Sequence, residues 1–239
     1  MDAFRIAVPH CPDGGFLYIP EFVSSDEEAY LVRKIDEAPR PKWKQLAHRR
    51  LQYWGGQIAE RSGMLVPETL PPFFTQFPPL VERLRDTGVF SGSKHQQPNH
   101  CLVNEYEPGQ GIMAHKDGPA YFPAVATISL CAPILLDLYE PKVDGTLPPE
   151  PAFSILQEPR SLLITYGAAY TQYLHGIAER DVDTPADLAR VCNVDRLGDA
   201  ALRQVIERAQ ATSTSVPRAR RVSLTFRDVE RVAPSLRLR

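Results

Sequence analysis

The strongest pattern along the chain is a period of two in its second half. "HCLVNEYEP" (100–108) alternates, "AVATISLCAPILLDLYEP" (124–141) is long enough for two strands, and "RSLLITYG" (160–167) and "RRVSLTFRDVERV" (220–232) follow. Alternation of this kind predicts half-buried β-strands. Before Asn99 the pattern is mixed. "GFLYIPEF" (15–22) predicts a short strand and the next segment a helix, opened by a capping box of Ser24 with Glu27, or Ser25 with Glu28. Leu31 and Ile35 keep an i, i+4 apolar stripe in that helix, and Pro39 ends it. "RRLQYWGG" (49–56) predicts an aromatic strand closed by a Gly-Gly turn, "VPETLPPFFTQFPP" (66–79) a loop, and Leu80, Val81 and Leu84 a short amphipathic helix.

Between His175 and Arg221 the pattern turns polar. "AALRQVIERAQA" (200–211) predicts a surface helix inside an insertion at about 181–216. The expected fold is therefore mainly β (α+β). Residues 99–239 form an antiparallel β core carrying that insertion, and residues 1–98 form a helical lid region packed on it, within one compact domain.

Composition sharpens this picture in two respects. The 23 prolines among 239 residues are nearly twice the average usage of about 5%, which favours loops and short strands over long helices. A formal net charge of -2 excludes a global basic field for nucleic acid, though not a local patch. Four cysteines (Cys11, Cys101, Cys131 and Cys192) are scattered without a C-x-x-C pair, so we expect reduced thiols, no disulfide partner and a cytoplasmic or nuclear setting. No apolar run is long enough for a membrane span, and "MDAFRIAVPHCPDGG" lacks the signature of a signal peptide. A monomer is the expected state.

Candidate chemistry centres on "NEYEPGQGIMAHKDG" (104–118). Residues i and i+2 of a strand share a face, so His115 and Asp117 can offer an imidazole nitrogen and a carboxylate oxygen to one divalent metal. A second histidine would complete a two-histidine, one-carboxylate set, which leaves positions open and serves ferrous oxygenases. His175 is the only histidine after Asp117, 58 residues on (175 − 117), and a glycine follows it as a crowded site would favour. His10, His48, His95 and His100 are read as ordinary surface or loop histidines.

Arg221, Ser223, Thr225 and Arg227 alternate along one strand and face one way, opposite the apolar Val222, Leu224 and Phe226. Buried guanidinium groups need an anion, and a dicarboxylate cofactor could supply it through bidentate bonds. A basic edge strand facing solvent is the competing reading. Asn104 and Tyr106 also share a face and offer an amide and a phenol to the same ligand.

These pieces together resemble the AlkB-like group of iron(II)- and 2-oxoglutarate-dependent dioxygenases, within it the subgroup of the sixth human homologue. The shared features are N-x-Y-x-x-G, H-x-D, a distant His and R-x-S-x-T-x-R, with "PKWKQL", "RRLQYWGG", "TISL", "EPRSLLI" and "YLHGIA" around them. The resemblance implies a double-stranded β-helix (jelly roll) with an N-terminal substrate lid. It implies Fe(II) on His115, Asp117 and His175, and 2-oxoglutarate held by Asn104, Tyr106, Arg221 and Arg227, with Ser223 and Thr225 lining the same wall. Its far carboxylate would meet both arginines. The implied reaction spends O2 on decarboxylating 2-oxoglutarate and hydroxylating a methyl C–H; a hydroxylated N-methyl group falls apart to formaldehyde and free amine. Two positions depart from the family: Ser223 stands where Asn is common, and Pro119 where base-repairing members carry an acid.

On the substrate side, Tyr53 and Trp54 beside Arg49, Arg50, Lys42 and Lys44 could stack a base and hold phosphate, or form a core Trp under solvated charges. The expected function is oxidative demethylation of nucleic acid. The alternatives are an oxygenase acting on a protein side chain, a catalytically idle binding module, and a zinc hydrolase with the same three ligands.

Overall fold

The computed structural model describes residues 5–6, 15–142 and 144–234; His10 and Cys11, and most of the segment read for a signal peptide, lie outside them. β1 (Arg5–Ile6) and β2 (Phe16–Ile19) lead into α1 (Ser25–Asp36). Ser24 is the cap: its hydroxyl accepts from the Glu27 amide, and the Glu27 carboxylate accepts from the Ser24 amide. That reciprocal pair satisfies two donors the first turn cannot. β3 (Lys44–Leu46), β4 (Arg49–Trp54), β5 (Gly56–Ile58) and β6 (Leu65–Pro67) follow, then α2 (Pro72–Thr75) and α3 (Leu80–Asp86). The proline-rich segment expected as a loop thus contains β6 and α2, because Pro72 occupies the first helical position, where a missing N–H costs nothing. Gly55 and Gly56 take positive φ after β4, and a side chain on Gly55 would run into the Asn99 carbonyl.

The remaining strands are β7 (His100–Tyr106), β8 (Ile112–His115), β9 (Ala124–Leu130), β10 (Ile134–Tyr139), β11 (Phe153–Gln157) and β12 (Leu162–Tyr166). After α4 (Gly167–Gln172) come β13 (Leu174–Ile177), β14 (Val182–Asp183), α5 (Pro185–Leu188), α6 (Ala200–Thr212), β15 (Val216–Pro217) and β16 (Arg221–Arg227). Eight strands form one sheet in the order β1-β2-β12-β9-β16-β7-β4-β3, and four form a second, β11-β10-β13-β8. All these pairings are antiparallel. The two sheets face one another as a jelly roll, with strands from before Asn99 supplying both edges of the larger one.

Alternation divides the large sheet cleanly. Cys101 and Val103, Ala126, Ile128 and Leu130, and Val222, Leu224 and Phe226 turn outward and pack with Leu31, Ile35, Phe74, Leu80 and Leu84 of the three N-terminal helices. Phe226 meets Phe74 edge to face at 5.2 Å, and burying such a ring contributes about 1.5–3 kcal/mol. The Glu27 carboxylate also accepts from Arg83, tying α1 to α3.

The insertion is a cover rather than a loose surface arm. Leu188, Leu197, Ile206 and Ala209 join the cluster that contains Leu135, Leu138, Ile155 and Leu156 of the small sheet. Asn193, fully buried, both donates to the Leu156 carbonyl and accepts from its amide. Among the described residues no helix is long and apolar enough to cross a membrane.

Candidate metal and cosubstrate site

The antiparallel register of β13 on β8 sets His175 directly opposite His115, with ring centroids 4.5 Å apart. Gly176 is required by this pairing: a Cβ there would press on the backbone of Ile112 and Ala114, so the crowding comes from β8 rather than from a ligand. Asp117 lies beyond the end of β8, and strand alternation is therefore not what aligns it with His115. Its position is fixed by Arg227, which donates to both carboxylate oxygens at 2.8 and 2.9 Å. Ligand atoms of His115, Asp117 and His175 all lie within 4.8 Å of one another.

Protonation suits metal binding. The His115 Nδ1 lies 2.8 Å from the Met113 carbonyl, which takes the ring proton there and leaves Nε2 as the free lone pair. Burial pushes the His175 imidazole down to about 4, against the pull of Asp117, so it stays neutral. Burial, the largest single influence, would raise Asp117, but the charge and hydrogen bonds of Arg227 together with the neighbouring His175 and His115 outweigh it and hold the carboxyl below the usual range. The Nε2 of His115, the neutral imidazole of His175 and the ionised carboxylate of Asp117, facing one cavity, fit a ferrous ion.

Arg221 occupies the other end of the same strand face. It is 2% exposed and donates to Ser129 Oγ and Gln157 Oε1, each at 3.1 Å, with the Tyr106 ring 5.7 Å away. No carboxylate pairs with it among the described residues, and burial lowers its pKa to about 10. A buried cation with only neutral partners is a site waiting for an anion. Asn104, Tyr106, Ser223 and Thr225 line the cavity between the two arginines. The expectation that Arg221 and Arg227 grip one carboxylate together is corrected here: they stand six residues apart on β16, about 20 Å along a strand, and Arg227 is spent on Asp117.

The four proposed substrate residues separate by the same alternation. Arg49 lines the cavity and donates through Nε to Asn104 Oδ1 at 3.2 Å, and Tyr53 lies on that face, 6.2 Å from the His100 ring. Arg50 and Trp54 point the other way, which corrects their assignment. Arg50 binds Glu105 and stacks on Trp43 at 4.1 Å, while Trp54 packs on Phe73 at 5.2 Å beneath Lys42. Residues absent from the sequence reading include Gln157 and Ser129, whose roles come only from long-range pairing, and Tyr121, whose ring faces Arg227 at 4.8 Å. Lys116 also lines the cavity, and its position between the two ligand residues was the available signal.

Comparison with known proteins agrees with this geometry. The 2OG-Fe(II) oxygenase superfamily matches residues 15–227. The chain is 40% identical over 221 residues to a protein of Danio rerio named "Probable RNA/DNA demethylase ALKBH6", covering 90% of this chain and 86% of that one. It is 29% identical over 182 residues to the Macaca fascicularis tRNA (carboxymethyluridine(34)-5-O)-methyltransferase ALKBH8, covering 74% of this chain but only 26% of that longer protein. Among solved structures, OsALKBH1 superimposes with a TM-score of 0.52 at 15% identity, over 90% of this chain and 98% of that one. A Pseudomonas putida prolyl-4-hydroxylase gives 0.50 at 14% identity, over 91% and 95%. Both structural likenesses are likenesses of fold. The family uses Fe(II), 2-oxoglutarate and O2, and the His-Asp-His set and the buried Arg221 fit the metal and a carboxylate. The chain belongs to the 2OG-Fe(II) oxygenase superfamily and, within it, to the AlkB-like group.

Proposed function

We propose that this chain oxidatively removes N-methyl groups from nucleic acid, DNA or RNA. The observation that carries the reading is the convergence of His115, Asp117 and His175 in a cavity that also holds Arg221, a buried guanidinium with no carboxylate partner among the described residues. In this reading His115 through Nε2, Asp117 and His175 hold iron. Arg221 takes the far carboxylate of 2-oxoglutarate, and Asn104, Tyr106, Ser223 and Thr225 line its length.

Iron and cosubstrate, when bound, supply the oxidising chemistry that hydroxylates a substrate C–H. The chain's own part is orientation and dryness. Met113 keeps the His115 proton on Nδ1, Arg227 keeps Asp117 ionised and aimed, and Arg221 meets its anion where water does not compete. A nucleic-acid substrate is supported by the name of the 40%-identical relative and by Arg49 and Lys116 in the cavity wall.

The test supplies ferrous iron, 2-oxoglutarate and O2 with a panel of methylated oligonucleotides and peptides, read by mass and by succinate release. Loss of a methyl group from an oligonucleotide, stoichiometric with succinate, is expected. Oligonucleotides left intact while a peptide is modified would overturn the substrate class, and absence of succinate with every candidate would overturn the enzyme.

A further inference from the structure

The face that β7 and β16 share has two ends, and one of them holds polar groups without partners. The register matches Tyr106 with Arg221, Asn104 with Ser223, Leu102 with Thr225 and His100 with Arg227. Leu102, Asn104 and Tyr106 line the cavity, and alternation puts His100 on the same face of β7, at the end where Arg227 braces Asp117. The Arg221 end, assigned to the keto acid, lies six residues and about 20 Å away along the strand. What meets His100 is therefore not the far carboxylate of the cosubstrate.

His100 reads in the sequence as an ordinary histidine, but it is 1% exposed, and neither ring nitrogen has a hydrogen-bond partner among the described residues. The Tyr170 hydroxyl is buried and unpartnered as well. Burial and then the Asp117 charge push that phenol up, with Arg227 and Tyr121 also acting on it, which sets the hydroxyl at the same corner. Its helix, α4, is tied to the segment carrying Tyr121 by the Gly167 amide, which donates to the Pro123 carbonyl. Buried polar atoms are nearly always satisfied, so three unmet ones at one corner mark a place that a ligand completes.

Burial, then the Arg227 charge, bring the His100 imidazole down to about 4, so at physiological pH it is neutral, one donor and one acceptor. Its complement is an edge that carries both an acceptor and a donor. The rings of Tyr53 and Tyr121 flank it, each with its centroid 6.2 Å away. Tyr121 is covered by the Arg227 guanidinium at 4.8 Å, whereas Tyr53, half-buried on β4, has no cation on its ring among the described residues. Tyr53 is thus the flank that can turn aside and lie against a planar group.

Taking the chain as the demethylase proposed above, we infer that His100 is a specificity residue of the reaction. It hydrogen-bonds the polar edge of the planar group that bears the methyl, and the Tyr170 hydroxyl bonds the same edge. The two ends of the face then divide the work: Arg221 sets the keto acid, and His100 with Tyr170 sets the substrate. A group lacking that edge is rejected because it leaves the desolvated nitrogens unmet.

The test uses the methylated oligonucleotide that loses its methyl group in the panel above, and the same strand with an abasic site at that position. Affinity for each is read by fluorescence anisotropy on protein loaded with manganese and 2-oxoglutarate. His100→Phe keeps a ring and removes both nitrogens. It is expected to bind the methylated strand about tenfold or more weakly, the scale of one buried hydrogen bond, and the abasic strand as the wild type does. His100→Gln keeps a donor and an acceptor and recovers most of the loss, and Tyr170→Phe loses about threefold. In metal-free melts His100→Phe holds or raises the melting temperature, since no hydrogen bond to a described residue is given up.

Equal weakening of both strands by His100→Phe, or a methylated-to-abasic ratio that it leaves unmoved, overturns the inference while demethylation of nucleic acid stands. An unmoved ratio with a lowered melting temperature identifies a purely structural histidine. If His100→Phe does not fold, Tyr170→Phe decides in its place by the same ratio. No strand demethylated, with 2-oxoglutarate consumed on a methyl-lysine peptide instead, overturns both readings.

Discussion

Replacing Arg221 by methionine tests the cosubstrate assignment through two readouts of opposite sign. In the ligand-free protein Arg221 is 2% exposed and, among the described residues, its side chain is hydrogen-bonded to Ser129 and Gln157 and to no carboxylate. Its removal forfeits two neutral hydrogen bonds of about 1 kcal/mol each. It also relieves the burial of a cation without a counter-ion, a penalty of several kcal/mol. The Arg221→Met apoprotein is therefore expected to match the wild type or exceed it by about 1–3 kcal/mol. At about 2–4 °C per kcal/mol for a chain of this size, its melting temperature holds or rises by several degrees.

With 2-oxoglutarate the sign reverses. Losing one partner of a buried charged pair costs about 2–5 kcal/mol, and about 1.4 kcal/mol is a tenfold change in affinity, so the loss is about thirtyfold or greater. Arg227→Met serves as the contrast, because it strands the Asp117 carboxylate and lowers ligand-free stability by about 3–5 kcal/mol. Scanning calorimetry on the metal-free protein and titration of 2-oxoglutarate into the manganese-loaded protein give both numbers. Unchanged affinity in Arg221→Met, or a ligand-free destabilisation as large as that of Arg227→Met, refutes the reasoning.

Four further outcomes are expected. Glu27→Gln keeps an acceptor for the Ser24 amide but removes the charge that pairs with Arg83, the pairing that holds the Glu27 carboxyl below its ordinary range. That stabilisation is complete above the unfolded carboxylate pKa of about 4.3 and disappears as pH falls through the folded value, so variant and wild type converge in strongly acidic melts; a gap that persists there contradicts it. At neutral pH the deficit is about 1 kcal/mol, since Arg83 is 34% exposed. Trp54→Ala, on the helix side of β4, costs about 2–3 kcal/mol of stability with KM for a methylated oligonucleotide unchanged, whereas Arg49→Ala raises KM and shifts stability by less than about 1 kcal/mol. Asn193→Ala leaves both polar groups of Leu156 unpaired and costs about 2–4 kcal/mol in denaturant melts. His175→Ala abolishes the rise in melting temperature that manganese gives the wild type, and a retained shift argues for other ligands.

What the sequence revealed of the site was the part written in local periodicity. That Arg221, Ser223, Thr225 and Arg227 share one face of β16 followed from alternation alone, as did the pairing of Asn104 with Tyr106 on β7; that this face turns to a cavity rather than to solvent did not. The same rule, applied to "RRLQYW", would have separated Arg49 and Tyr53 from Arg50 and Trp54, and the strand rise would have kept the two arginines of β16 from one carboxylate. Other features were beyond such rules. The meeting of His115 with His175 depends on the register of β8 and β13, strands with four others between them in the chain, and the partners of Arg221 sit on β9 and β11. The insertion read as a surface helix because Ile206 and Ala209 make an apolar stripe whose partner, the small sheet, lies far back in the chain.

β16 lies between β9 and β7, and it is made after both. On the ribosome, β7 and β9 emerge with no strand between them, and the slot they flank has to stay open while the insertion is translated. Arg221 and Arg227 arrive together on the strand that fills it. In the proposed reading, a chain lacking that strand has both histidines yet neither the guanidinium assigned to the keto acid nor the brace for Asp117, so the site is complete only once β16 has filled its slot.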